Sequence, residues 1–171
     1  MSLNPSPPFL KPFVLIGLPK SGKTTLVKLL SDQKNLNFAD LDHYLETKYQ
    51  TKVRSLFNEY GESVFRKKEL EAFQELLLQN PHLISLGGGA PIKKNPPCYT
   101  TIWIRIPKEV LKERIDFTAP YLRGVDFEIW LTEREKGYAS NAQITVELTG
   151  IDRKMDTDTL WEAMQSAGCT L

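Results

Sequence analysis

Eight residues constrain this chain more than any others. Gly17-Leu18-Pro19-Lys20-Ser21-Gly22-Lys23-Thr24 follow the apolar run Phe13-Val14-Leu15-Ile16 and lead into a helical pattern from Lys23 to Leu30. The preceding run is short, continuous and stopped by glycine, the signature of a strand buried on both faces. Glycine, four residues and then Gly-Lys-Thr is the spacing of a phosphate-binding P-loop, and strand before, helix after is the context that this motif requires. Glycines let the backbone curl close to phosphate oxygens, while successive N–H groups at a helix start form a nest for anions. On this reading Gly17, Pro19, Lys20, Ser21, Gly22, Lys23, Thr24 and Thr25 hold the phosphates of ATP. Lys23 is expected to reach the β- and γ-phosphates and to act in catalysis, and Thr24 to offer its hydroxyl oxygen to Mg2+.

The rest of the chain repeats the strand and helix alternation. Leu36 to Asp40 reads as a second strand, followed by a helical stretch from about His43 that Gly61 interrupts. Glu62 to Gln79 carries Phe65, Leu70, Phe73, Leu76 and Leu77 at spacings that share one helix face, with Pro81 beyond the end. Leu83 to Leu86 predicts a third strand, closed by Gly87-Gly88-Gly89. Thr100 to Ile106 predicts a fourth, with Pro107 opening the next helix, and residues 143 to 148 a fifth. The expected fold is α/β, a three-layer P-loop NTPase fold with a five-stranded parallel sheet and helices on both faces. Residues 1 to 12, with four prolines, read as a loose leader, and 13 to 171 as one domain with a lid at about 114 to 127.

Composition narrows the partners. With 22 basic and 21 acidic side chains the formal net charge is +1, so no nucleic-acid footprint is expected and any anion must be caught locally. No apolar run approaches a membrane span, and a cytoplasmic enzyme is the expectation. Cys98 and Cys169 lack metal-ligand spacing, as do His43 and His82, so all four are expected in ordinary structural or surface roles. No exposed heptad stands out, which favours a monomer.

A P-loop by itself fits GTPases and ATPases as well as kinases. Neither an Asn-Lys-x-Asp guanine-reading motif nor an Asp-x-x-Gly switch occurs, which disfavours a GTPase. Asp40-Leu41-Asp42 places two carboxylates on one side if the strand persists there; otherwise both can be helix N-cap or first-turn acids before His43-Tyr44-Leu45. Together with Phe65-Arg66, Gly87-Gly88-Gly89 and Arg134-x-x-x-Tyr138, the sequence resembles the shikimate kinase family over about residues 13 to 165. The resemblance implies that Asp40 supports the Mg2+ shell and that Asp42 holds the acceptor hydroxyls of shikimate as a catalytic residue. It implies that Arg66 and Arg134 grip the carboxylate as paired guanidinium forks, and that Gly87, Gly88 and Gly89 let backbone approach the acceptor. Phe57 and Phe65 would wall the pocket, and Glu69 would orient an active-site arginine. Read singly, each arginine fits a solvated helix position and the glycine triplet fits a flexible loop before Pro91.

The family usually has an arginine before a lid proline, and here Ala119 precedes Pro120. The expectation is that Arg123 supplies that charge as the lid folds over, with Arg114 beside the adenine. Competing readings are a kinase for gluconate, another hydroxy acid or a nucleoside monophosphate, and an ATP-binding regulatory protein without turnover.

Overall fold

The computed structural model describes residues 11–89, 98–118 and 124–167. Its elements run β1 (Phe13–Ile16), α1 (Lys23–Lys34), β2 (Phe38–Asp40), α2 (Leu41–Tyr49), α3 (Val53–Leu78), β3 (Leu83–Ser85), β4 (Thr100–Arg105), α4 (Lys108–Arg114), α5 (Phe127–Asn141), β5 (Ile144–Glu147) and α6 (Arg153–Ser166). The five strands form one sheet in the order β2-β3-β1-β4-β5, and every pairing is parallel. β1 lies at the centre, with Phe13 in register with Leu83 on one side and Thr100 on the other. Because successive side chains of a strand face opposite ways, the burial of all four β1 residues requires helices over both faces of the sheet.

Packing follows from the apolar periodicity. α1 buries Leu26, Val27 and Leu30 on one face, at three-to-four spacing, and ends at Asn35 in the left-handed conformation. The buried face of α3 includes Phe65, Ala72, Phe73 and Leu76, and Phe73 meets Tyr99 edge-on at 5.2 Å between centroids. These side chains join those of the central strands, α5 and α6 in one continuous hydrophobic cluster.

Several boundaries differ from the sequence expectations. β2 begins at Phe38 rather than Leu36, β3 and β4 each stop one residue earlier than expected, and β5 is shorter than 143–148. The second strand also ends at Asp40, so the strand geometry invoked for Asp42 does not hold: Asp40 is the N-cap of α2 and Asp42 sits in its first turn. The side-chain oxygen of Asp40 accepts from the His43 amide at 3.0 Å, satisfying one of the free N–H groups that start a helix. Val53–Leu78 consists of two helical segments meeting at a kink at Gly61, with φ 72 and ψ 166, so the helix expected from Glu62 begins directly after the break and a further segment from Val53 precedes it. Pro107 is the N-cap of α4 rather than its first residue. α5 and α6 had no counterpart among the expected elements. Ala119, Arg123 and Cys169, and so the centre of the expected lid, lie outside the described residues. Cys98 is exposed, and His82 accepts the Asn37 amide at 2.8 Å through Nδ1.

Candidate active site

The carboxyl ends of β1, β2 and β3 open into a cavity of about 1000 Å3. This is where open α/β sheets hold ligands, because loops leaving neighbouring strands part there. The P-loop forms one wall. Gly17 takes φ 148, and a Cβ at that position would lie 2.5 Å from the Ile104 carbonyl oxygen, so only glycine lets the loop leave β1 this close to β4. Gly22, at φ 93, caps α1 and turns its free N–H groups toward the cavity end of the helix. Lys23 is buried, and its ammonium donates to the carbonyls of Gly17 at 3.0 Å and Leu18 at 2.8 Å. Burial lowers its pKa to about 8, with the charges of Asp42 and then Asp40 pulling the other way. Pro19, Lys20, Gly22, Thr24 and Thr25 line the cavity with it, and Ser21 is buried beneath.

Two acids stand opposite the loop in different roles. The Thr24 hydroxyl donates to Asp40 Oδ2 at 2.6 Å, so the helix cap of α2 and the P-loop threonine are tied together. Ser85 Oγ, at the end of β3, lies 3.4 Å from the same hydroxyl. Asp42 lies deeper: a Cβ on Gly87 would be 2.9 Å from its Oδ1. Burial, and next the charge of Asp40, push its pKa up to about 6, while Lys23 and Arg66 oppose the rise. A carboxyl poised near neutrality is able to accept a proton from a hydroxyl.

The third wall carries the arginines. Arg66 Nη1 donates to Glu69 Oε2 at 2.5 Å, and Glu62 lies 3.7 Å from its other nitrogen. Glu69 is buried and its pKa is raised by that burial, against the pull of Arg66. A Cβ on Gly89 would meet Arg66 Nη2 at 2.5 Å, and one on Gly88 would meet Pro19 Cδ at 2.6 Å. The glycine triplet is therefore squeezed between the P-loop, Asp42 and Arg66. From α5, Arg134 Nη1 reaches the Gly88 carbonyl at 3.5 Å, and the Tyr138 hydroxyl also donates to that oxygen. Burial pushes the Tyr138 pKa up to about 12, with Arg134 and Arg66 opposing. Phe57 and Phe65 line the cavity with their rings in edge contact, 5.5 Å apart.

Arg114, at the end of α4, donates to the carbonyls of Lys20, at 3.4 Å, and Gly150, so it bridges the P-loop and the loop after β5. The structure thus gathers Lys23, Thr24, Asp40, Asp42, Arg66, Gly87, Gly88, Gly89, Arg114 and Arg134 around one cavity. Four polar residues of this wall were not singled out in the sequence, Ser85, Arg54, Asn58 and Asp116, and neither were the apolar Val53 and Trp130. A polar residue interrupting Leu83-Ile84-Ser85-Leu86 was the available signal for Ser85; the other three polar residues look like any solvated residue.

A nucleotide cradle at the end of β1, sharing its cavity with a buried acid and two guanidinium groups, defines a P-loop kinase that phosphorylates a small molecule. The shikimate kinase family model matches residues 19–165. The chain belongs to the shikimate kinase family, and it is an ATP-dependent phosphotransferase. It is 30% identical over 151 residues to a shikimate kinase of Microcystis aeruginosa, covering 83% of this chain and 80% of that protein. The crystal structure of a shikimate kinase from Aquifex aeolicus matches with a TM-score of 0.72 at 28% identity, over 91% of this chain and 96% of that one. The one from Bacteroides thetaiotaomicron gives 0.75 at 26%, over 92% and 98%.

Proposed function

We propose that this chain transfers the γ-phosphoryl group of ATP to the 3-hydroxyl of shikimate. The observation that carries the reading is the convergence of Asp42, Arg66, Arg134 and the glycine triplet on the cavity that the P-loop also lines. Two guanidinium groups suit a planar carboxylate, and an acid beside them suits a ring hydroxyl. The hydroxyl oxygen attacks the γ-phosphorus as the bond to the β,γ-bridging oxygen breaks, and that electron pair leaves on ADP. The hydroxyl proton passes to Asp42 late, because a loose transition state demands alignment and charge neutralisation more than a strong base.

The P-loop amides and Lys23 hold the phosphates, with Pro19, Lys20, Ser21 and Thr25 shaping the cradle and Arg114 lying against the adenine. Thr24 and Asp40 form an oxygen-only donor pair 2.6 Å apart, which fits a hard divalent cation. These two residues would hold Mg2+, Asp40 through water, and the ion would neutralise phosphate charge. Arg123 supplies a further cation over the transferring group; R123A with a turnover number within about twofold of wild type would reject that role. The sequence, with no exposed heptad, supports a monomer, and dependence on ATP fits action in the cytoplasm.

ADP release with Mg·ATP is the test, comparing no acceptor with shikimate, gluconate, quinate and a panel of nucleoside monophosphates. Stimulation by shikimate alone is expected. Stimulation by another acceptor alone would keep the kinase and overturn the acceptor, and ATP binding without any stimulation would favour a regulatory protein.

A further inference from the structure

Contacts from three walls meet at the glycine triplet. A Cβ on Gly88 would lie 2.6 Å from Pro19 Cδ of the P-loop, and Gly87 and Gly89 press in the same way on Asp42 and Arg66. From α5 the Gly88 carbonyl is bonded twice, by Arg134 Nη1 at 3.5 Å and by the Tyr138 hydroxyl. These two donors stand one helix turn apart, and they are unequal. At 3.5 Å the arginine is at the outer limit of an N–H bond, whereas the hydroxyl lies in close contact. The Tyr138 ring is buried and packs on Trp103 of β4, with centroids 5.9 Å apart. Arg134 is only half-buried and lines the cavity. Burial pushes the Tyr138 pKa up to about 12, so its hydroxyl keeps the proton it donates in any ordinary assay.

From this we infer that Tyr138 is a positioning residue for the acceptor: its hydroxyl takes over the Gly88 carbonyl, so that the Arg134 guanidinium can turn from that oxygen to the acceptor's carboxylate. A guanidinium binds a carboxylate best through two parallel N–H groups, and one spent on a backbone carbonyl is one fewer for that fork. If Arg134 were the sole donor, turning away would strand the carbonyl, and a part-buried acceptor left without a partner is costly. With Tyr138 in place the carbonyl stays satisfied, and the triplet keeps its seat against Pro19, Asp42 and Arg66. This deepens the phosphotransfer reading and rests on Arg134 holding the acceptor's carboxylate; it does not depend on how the nucleotide is held.

Steady-state ADP release with shikimate as acceptor, measured on wild type, Y138F, R134A and the double variant, tests the inference. Y138F is expected to raise the KM for shikimate at least about fivefold, with kcat and the KM for ATP within about twofold of wild type. In the R134A background the same change should alter kcat/KM for shikimate by less than about twofold, because no guanidinium remains to be released. A merely structural tyrosine would cost the same factor in both backgrounds, and that outcome would overturn the inference. So would a KM for shikimate in Y138F within about twofold of wild type while R134A alone raises it. A KM unchanged in R134A as well would overturn the grip of Arg134 on the acceptor, and the inference with it. Wild-type stimulation by shikimate in the same assay reports separately on the phosphotransfer reading.

Discussion

Asp42 shows how a residue's surroundings set its chemistry. Burial, and next the charge of Asp40, lift its carboxyl from the ordinary 3.8 to about 6, so it spans its two protonation states within the range in which the enzyme can be assayed. Activity should therefore rise with pH: kcat/KM is expected to climb with unit slope and level off above about pH 6, once Asp42 is ionised and able to accept the hydroxyl proton. D42N should lower kcat by at least about a hundredfold, and a loss of less than tenfold would remove Asp42 from proton transfer. The stability sign runs the other way. A folded pKa above the unfolded one means that the folded state binds the proton more tightly, so this group's contribution falls as pH rises from about 4 to 6. D42N should thus be more stable than wild type at pH 7.5, by about 1–2 kcal/mol in urea unfolding. At this scale the sequence revealed the residues and left two geometries open. Asp40-Leu41-Asp42 marks both acids, and of strand alternation and helix start it is the second that is realised, as a cap and a first-turn position. Cap acids and metal-supporting acids are the same residue type, and here Asp40 bonds both the His43 amide and the Thr24 hydroxyl. Arg54 stayed hidden because nothing local separates it from a solvated helix arginine.

Elements were legible where burial is uniform. β1 and β3 are buried at every residue, leaving continuous apolar runs that mark them out. α6 was not legible because its pattern is inverted: Met155 is 54% exposed while Asp156 and Thr157 are buried. α5 suffers likewise, with Ile129 60% exposed. The inversion in α6 has a physical reason. Asp156 Oδ1 accepts from the Thr149 amide at 2.7 Å and its hydroxyl at 2.9 Å, and Oδ2 accepts from the Gly150 amide at 2.9 Å. One buried carboxylate thus fixes the loop after β5, whose Gly150 carbonyl in turn receives Arg114. D156N keeps the shape but sets an NH2 group against one of these donors. Leaving such a buried donor unsatisfied costs about 1–3 kcal/mol, or a fall in Tm of roughly 2–10 °C for a chain of this size. KM for ATP should rise several-fold with KM for the acceptor unchanged. Equal rises in both would show that the loop serves the whole site and not the nucleotide side.

For the whole molecule the question is whether the layer carrying Arg66 and Asp42 can melt apart from the layer carrying the P-loop. The hydrophobic cluster argues against separate melting, since Leu41 and Leu45 of α2, Leu56 and Phe73 of α3 and the central strand residues belong to one continuous core. Polar ties cross the same boundary, from Thr24 to Asp40 and from Arg134 and Tyr138 to Gly88. Removing either layer would expose the other's apolar face, so unfolding is expected as a single cooperative transition. Nucleotide binding should then stabilise the entire domain rather than the loop alone. With a nonhydrolysable ATP analogue at 100 times its Kd the gain is about 2.7 kcal/mol, which raises Tm by roughly 5–10 °C. K23M removes the charge that meets the phosphates and should abolish most of that shift while leaving one transition. Scanning calorimetry decides the matter: two resolved transitions, with only one moved by the analogue, would mean that the acceptor wall and the P-loop fold as separate units.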